Sequence, residues 1–260
     1  SDVRYEPLMR KLVTHSAQCI RTTEIDGILF RVMEDNSTAT TTWLLRMFRT
    51  MIERKWGMTI DERDDDGGEE QDEAAAEVMQ VLNECGATVL CLDLISPGID
   101  RDLRVEAMKL CVALLFKEGG ALAVQETMFA HLNRGGTDYF FRQGREMITE
   151  LIEFHKWGGV VILEEGEDPD LPDEIILIRF LQLMCEGHYL PNQDIMREQK
   201  NNANSYNLLD DFVFYFHALD AIPCATSTEA ALAVSATILE VIQGPCEGNQ
   251  DHLGLNTELI

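Results

Sequence analysis

No run of apolar residues in this 260-residue chain approaches the 18 needed to cross a bilayer, and no secretory leader pattern opens it. The densest stretch, Ile175 to Cys185, is interrupted by Arg179 and Gln182. Membrane contact by this segment itself is not expected. Positive charge is scarce, with 21 Lys and Arg against 46 Asp and Glu, a net charge of −25. Phosphate backbones and anionic lipid are bound by Lys and Arg that release counterions, which excludes nucleic acid as a partner class and favours cations. The seven cysteines form no C-x-x-C pair, and most lie in apolar runs such as Val89-Leu90-Cys91-Leu92. They read as reduced thiols serving as small hydrophobes in a cytosolic protein, where the sequon Asn36-Ser37-Thr38 stays silent. The opening Ser-Asp-Val and closing Leu-Ile read as the ends of an excised piece of something larger.

Enzyme signatures are missing too. There is no H-E-x-x-H, no glycine-rich phosphate loop with its Lys and no G-x-S-x-G, and the six histidines are scattered. The expectation is a non-catalytic protein. Strand-type alternation is also short of what a sheet needs. What is present is helical period: Leu103, Ala107, Leu110, Cys111, Leu114 and Leu115 form one stripe, with Asp100 as its N-cap. A second helix opens at the capping-box spacing Thr226-x-x-Glu229 and stops at Gly244-Pro245. Comparable stripes cover 3–22, 41–56, 73–85, 87–95, 120–133, 138–156, 174–187 and 204–220. The predicted fold is all-α, an armadillo-like α-solenoid of antiparallel helix pairs.

Two acidic runs divide the helices. Asp61 to Glu73 carries nine acids and one Arg; Glu164 to Glu174 carries seven acids and no base. Both read as solvated linkers. The predicted organisation is N-terminal helices at 1–60, a linker at 61–73, a helical block at 74–157, a second linker at 158–173 and a final block at 174–260. Glu62, Asp64, Asp66, Gly67 and Glu73 match positions 1, 3, 5, 6 and 12 of a calcium-binding EF-hand loop. The leading Glu and an acid, Glu69, at the apolar eighth position argue for a linker instead.

Arg179, Gln182 and Glu186 share the polar face of 174–187, and Glu186 stands at the negative end of that helix. Glu240 stands in the last turn of the helix ending at Gly244. Acids at such ends are penalised unless a cation or donor is near, so the pair could clamp one hard cation through oxygen. The other reading is two solvated surface acids.

Phe180-Leu-Gln-Leu-Met-Cys-Glu-Gly-His188, then Gln193 and Arg197, and Ile242-Gln-Gly-Pro-Cys-Glu-Gly-Asn-Gln250 resemble the cytosolic helical region of intracellular calcium-release channels. That superfamily comprises the inositol trisphosphate and ryanodine receptors. Gly86-Ala87, Leu92-Asp93-Leu94-Ile95, Gly119-Gly120 and Val124-Gln125 resemble the segment before it, and Asn201-Asn202 with Tyr206-Asn207-Leu208 leans toward the inositol trisphosphate branch. The resemblance covers 82–129 and 177–252 and includes the RIH-associated segment. It implies a piece of a homotetrameric calcium channel on the cytosolic face of the endoplasmic reticulum, coupling ligand binding to pore opening. Its partners would be other domains and subunits of that channel. It further implies that Glu186 and Glu240 are ligands of an activating Ca2+, with His188 and Gln243 beside them and a last ligand from another domain. Tyr189 replaces the Asn usual after the His, and the segment between Gln193 and Arg197 diverges. The basic cluster of an inositol trisphosphate pocket is not in this chain. The rival expectation is a purely structural helical interaction scaffold in which both acids are solvated.

Overall fold

Pro7 stands in the first turn of α1 (Glu6–Gln18), where a missing N–H costs no intrahelical bond. The structure, a computed structural model, describes residues 5–25, 28–34, 36–60, 69–116, 120–165, 169–220 and 223–257. After α1 the chain departs from the all-α expectation. Ile20–Ile25 (β1) and Ile28–Met33 (β2) pair antiparallel, with Ile20 opposite Met33 and Ile25 opposite Ile28. The stretch is dense in Ile, Thr, Val and Phe, whose branched or aromatic side chains fit a pleated ribbon. The helical reading of 3–22 overran it because β1 is exposed beyond Ile20, and a strand with no buried face has no alternation to display. The fold is therefore mostly α with one hairpin.

β2 is the docked strand. The Arg31 N–H donates to Ser96 Oγ at 3.0 Å, and a Cβ on Gly98 would collide with the Arg31 carbonyl oxygen. The Arg31 guanidinium lies over the Tyr139 ring at 4.9 Å and reaches Asp93 at 3.5 Å. Asp93 also accepts from the buried Tyr139 hydroxyl and faces His131 Nε2 at 3.2 Å. Burial pushes the Asp93 carboxyl up, but bonds from His131 and Tyr139 and the Arg31 charge outweigh it and hold it below the ordinary range.

Eleven further α-helices follow among the described residues. They are α2 (Thr38–Trp56), α3 (Glu69–Glu84), α4 (Ala87–Leu94), α5 (Arg101–Leu115), α6 (Leu122–Leu132), α7 (Asp138–Glu165), α8 (Ile176–Cys185), α9 (Leu190–Arg197), α10 (Leu208–Leu219), α11 (Ala225–Ile242) and α12 (Glu247–Asn256). α5 is the centre: 11 of its 15 residues are buried, as expected of a helix covered on every side. Asp100 caps it as expected, accepting from the N–H groups of Asp102 and Leu103 at 3.1 and 3.2 Å. Its buried Glu106 is held by Arg46 and Arg49 of α2 at 2.9 and 2.8 Å, which supplies the pairing a buried charge requires.

The packing has a period of three. α2 packs on α5, α5 on α8 and α8 on α11; in parallel, α3 packs on α6, α6 on α9 and α9 on α12. α1 likewise meets α4, and α7 meets α10. α11 averages a hydropathy of 1.3 over 18 residues, long and apolar enough to cross a membrane by those criteria alone, although Glu229 and Glu240 interrupt it. Ala230, Val234, Ile238 and Val241 are instead buried, on a helix that packs on α8 and α10. Its cap sits two residues before the expected Thr226. Cys224 Sγ accepts from the Ser227 N–H at 3.3 Å and Ser227 Oγ from the Cys224 N–H at 2.8 Å, while Thr226 Oγ1 donates to the Pro169 carbonyl at 2.7 Å.

Helix reaches into both stretches read as linkers. Residues 61–68, with most of the EF-hand-like match, lie outside the described residues; Glu73 is on α3. α7 continues past 158 to Glu165, and beyond it Leu171 packs on the core while both Glu174 oxygens bond Arg101 of α5. α9 and α12 carried no stripe in the sequence because they are short and polar.

Candidate functional site

α8 ends at Cys185, and Glu186 caps it with extended backbone (φ −50°, ψ 145°). Gly187 and His188 then take left-handed φ of 68° and 60°, reversing the chain into α9. Histidine is among the few non-glycine residues enriched in that region. Glu240 lies in the last turn of α11, Gln243 is its C-cap, and Gly244 turns the chain away with φ 75°. The two turns touch. A Cβ on Gly244 would lie 3.0 Å from His188 Cβ and 3.2 Å from its Cγ, so only glycine lets the turns nest this closely.

Both helix ends expose carbonyls with no intrahelical partner, and buried amides answer them. Gln125 of α6 donates through Nε2 toward the carbonyls of Leu183 and Met184, each at 3.2 Å, and of Glu186 at 2.8 Å. Asn192 donates to the Met184 carbonyl at 2.8 Å. Gln193, from α9, donates to the carbonyls of Glu240 and Gln243 at 2.7 and 2.8 Å. Asn249 bridges the Gln193 and Val241 carbonyls at 2.8 Å each. Gln125, Asn192, Gln193 and Asn249 are all buried. Four amides thus fix where the two acids start. Sequence reasoning gave them no structural role, although an amide in an apolar run such as Val124-Gln125 is a usable signal of a buried cap.

The carboxylates share one electrostatic environment. Burial pushes the Glu240 carboxyl above its ordinary range; Glu186 pushes it further, and His188 and Arg179 pull it back. One Glu240 oxygen, Oε2, is buried without a hydrogen-bond partner. The same two acids reinforce what burial does to the Cys185 thiol, which is raised well above its usual value. The structure therefore brings Glu186, Glu240 and His188 together, while the Gln243 side chain is exposed and its backbone carbonyl is what joins the site. Among the described residues no group of three or more His, Cys, Asp or Glu is assembled to hold a metal ion. Two carboxylates, one of them with an unmet acceptor, are fewer than the six to eight oxygen ligands that a calcium ion takes.

Residues 174–260 match the family model described as RyR and IP3R Homology associated. The matched segment takes in α8 to α12 with both candidate acids, whereas Gln125, which ties down Glu186, lies outside it on α6. The chain is also 32% identical over 111 residues to the inositol 1,4,5-trisphosphate receptor of Caenorhabditis elegans, an alignment covering 35% of this chain. The chain spans about 4% of the length of that receptor. The resemblance to the inositol trisphosphate and ryanodine receptor superfamily, read from the residues, is borne out.

Proposed function

We propose that this chain is part of the cytosolic helical region of a tetrameric intracellular calcium-release channel at the endoplasmic reticulum. In this reading it is non-catalytic, contributes Glu186 and Glu240 to an activating calcium site, and couples ligand binding to pore opening. The observation that carries the reading is the Glu240 carboxylate: one buried oxygen without a partner, beside a second acid, at two touching helix ends. A cation there would relieve both the like-charge repulsion and the unmet acceptor, and oxygen donors suit a hard ion such as Ca2+. The remaining ligands would come from another domain of the channel. The period-of-three packing supports a solenoid of three-helix units, in which a shift at α11 bears directly on α8 and through it on α5.

Replacing both acids by Gln in the intact channel should move calcium activation to higher calcium; activation left unchanged sinks the site. In the isolated chain, calcium should raise the melting temperature of the native protein and not of Glu240→Gln. At half saturation the gain is about 0.4 kcal/mol, small but measurable against the variant.

A further inference from the structure

Trp43 is 72% exposed in the middle of α2, on the side opposite the buried Leu45, Phe48 and Ile52. Two adjoining concavities meet at it. One, of about 430 Å3, runs against Leu12 of α1; the other, of about 370 Å3, runs along α2 past Met51 to Arg54. Trp43 and Met47 line both. Leu8, 54% exposed on α1, belongs to the same kind of surface. From Trp43 to Met51 the groove follows α2 for roughly 12 Å, two turns of a facing helix. A large exposed aromatic beside adaptable methionines is the composition of a binding anchor rather than of ordinary solvated surface.

Charge distinguishes this face from the rest of the molecule. Residues 1–60 hold nine Lys and Arg against seven Asp and Glu, whereas the remaining 200 hold 12 against 39. Arg46 and Arg54 stand exposed on the groove's rim. Arg46 spends its Nε on Glu106 and keeps its side chain 57% exposed. A basic partner would be drawn to the acidic remainder of the chain. A second copy meeting this groove across a two-fold axis would set Arg46 and Arg54 against their own kind.

We propose that the α1–α2 groove binds an amphipathic helix of a separate protein, its apolar stripe on Trp43, Met47 and Met51 and its carboxylates facing Arg46 and Arg54. The test is fluorescence anisotropy with the full chain and a labelled 18-residue helical peptide carrying Leu at i, i+4, i+7 and i+11 and Glu and Ala elsewhere. Saturable binding is expected despite the like net charges, at an ionic strength of about 0.1 M or more, where screening confines the repulsion from the acidic remainder of the chain. Trp43→Ala and Arg54→Glu should each weaken it about tenfold, the loss expected of an anchor and of a rim charge reversed. The Lys version of the peptide should recover binding to Arg54→Glu at this groove, read as protection of Trp43 from quenching. Both changes are at exposed positions, and circular dichroism checks that the fold is intact. The proposal is overturned by no saturation at millimolar peptide, by binding that Trp43→Ala leaves unaltered, or by self-association of the chain that depends on Trp43 in sedimentation.

Discussion

Gln125→Met tests whether the amides or merely the packing hold the ends of the two acid-bearing helices. Methionine keeps the volume of the buried side chain and removes its donor. The structure sets the size of the effect: Gln125 serves three carbonyls at 2.8–3.2 Å, and Asn192 continues to serve only the one at Met184. Leu183 keeps the Glu186 backbone N–H, and the part-buried Glu186 carbonyl is the one left to find another partner. One abandoned buried polar group costs about 1–3 kcal/mol, so we expect about 2 kcal/mol here. For a chain of this size that lowers the melting temperature by about 4–8 °C. Gln125→Glu should cost more, since its carboxylate would face carbonyl oxygens with no proton to give. Urea denaturation followed by circular dichroism, with a coincident fluorescence transition, measures both. A Gln125→Met variant within about 0.5 kcal/mol of the native chain, the usual scatter of neutral changes, refutes the capping argument.

Gly98→Ala should loosen the hairpin, because the new Cβ meets the Arg31 carbonyl and β2 must move. Overpacking of that kind costs about 1–3 kcal/mol, and faster amide exchange confined to β2 would be its mark; unchanged exchange counts against the docking described. Glu240→Gln should raise the melting temperature at pH 7. Glu240 binds its proton more tightly in the folded chain than in the unfolded one, so its ionisation weakens the fold as pH rises from about 4.3 through the raised value. The gain should close below pH 4, where both states are protonated, and a gap independent of pH would mean that ionisation is not its source.

Much of the helical layout was legible because α2, α5, α8 and α11 each carry long apolar stripes that the core then uses. The hairpin was not, since β1 has no buried side and its Thr-rich stretch imitates a helix edge. α9 and α12 were missed for a related reason: their value lies in single amides, Gln193 and Asn249, whose partners are carbonyls 47 to 56 residues away along the chain or eight residues back. Spacing alone could say that Glu186 and Glu240 end their helices. It could not say that the ends nest, because that depends on Gly244 meeting His188, a pairing between turns that no local pattern encodes.

The thiols give this molecule internal reporters. Six of the seven cysteines are buried and only Cys224 is partly open. Cys85, Cys111, Cys185 and Cys246 all have thiols raised by burial, so they are poor nucleophiles until their surroundings open. They are spread over the end of α3, the centre of α5, the end of α8 and the start of α12. The order in which an alkylating reagent reaches them would therefore trace which part of the stack breathes first. Cys185, one residue from Glu186, would be the clock for the acid pair itself, slowing when anything binds there and closes the two turns.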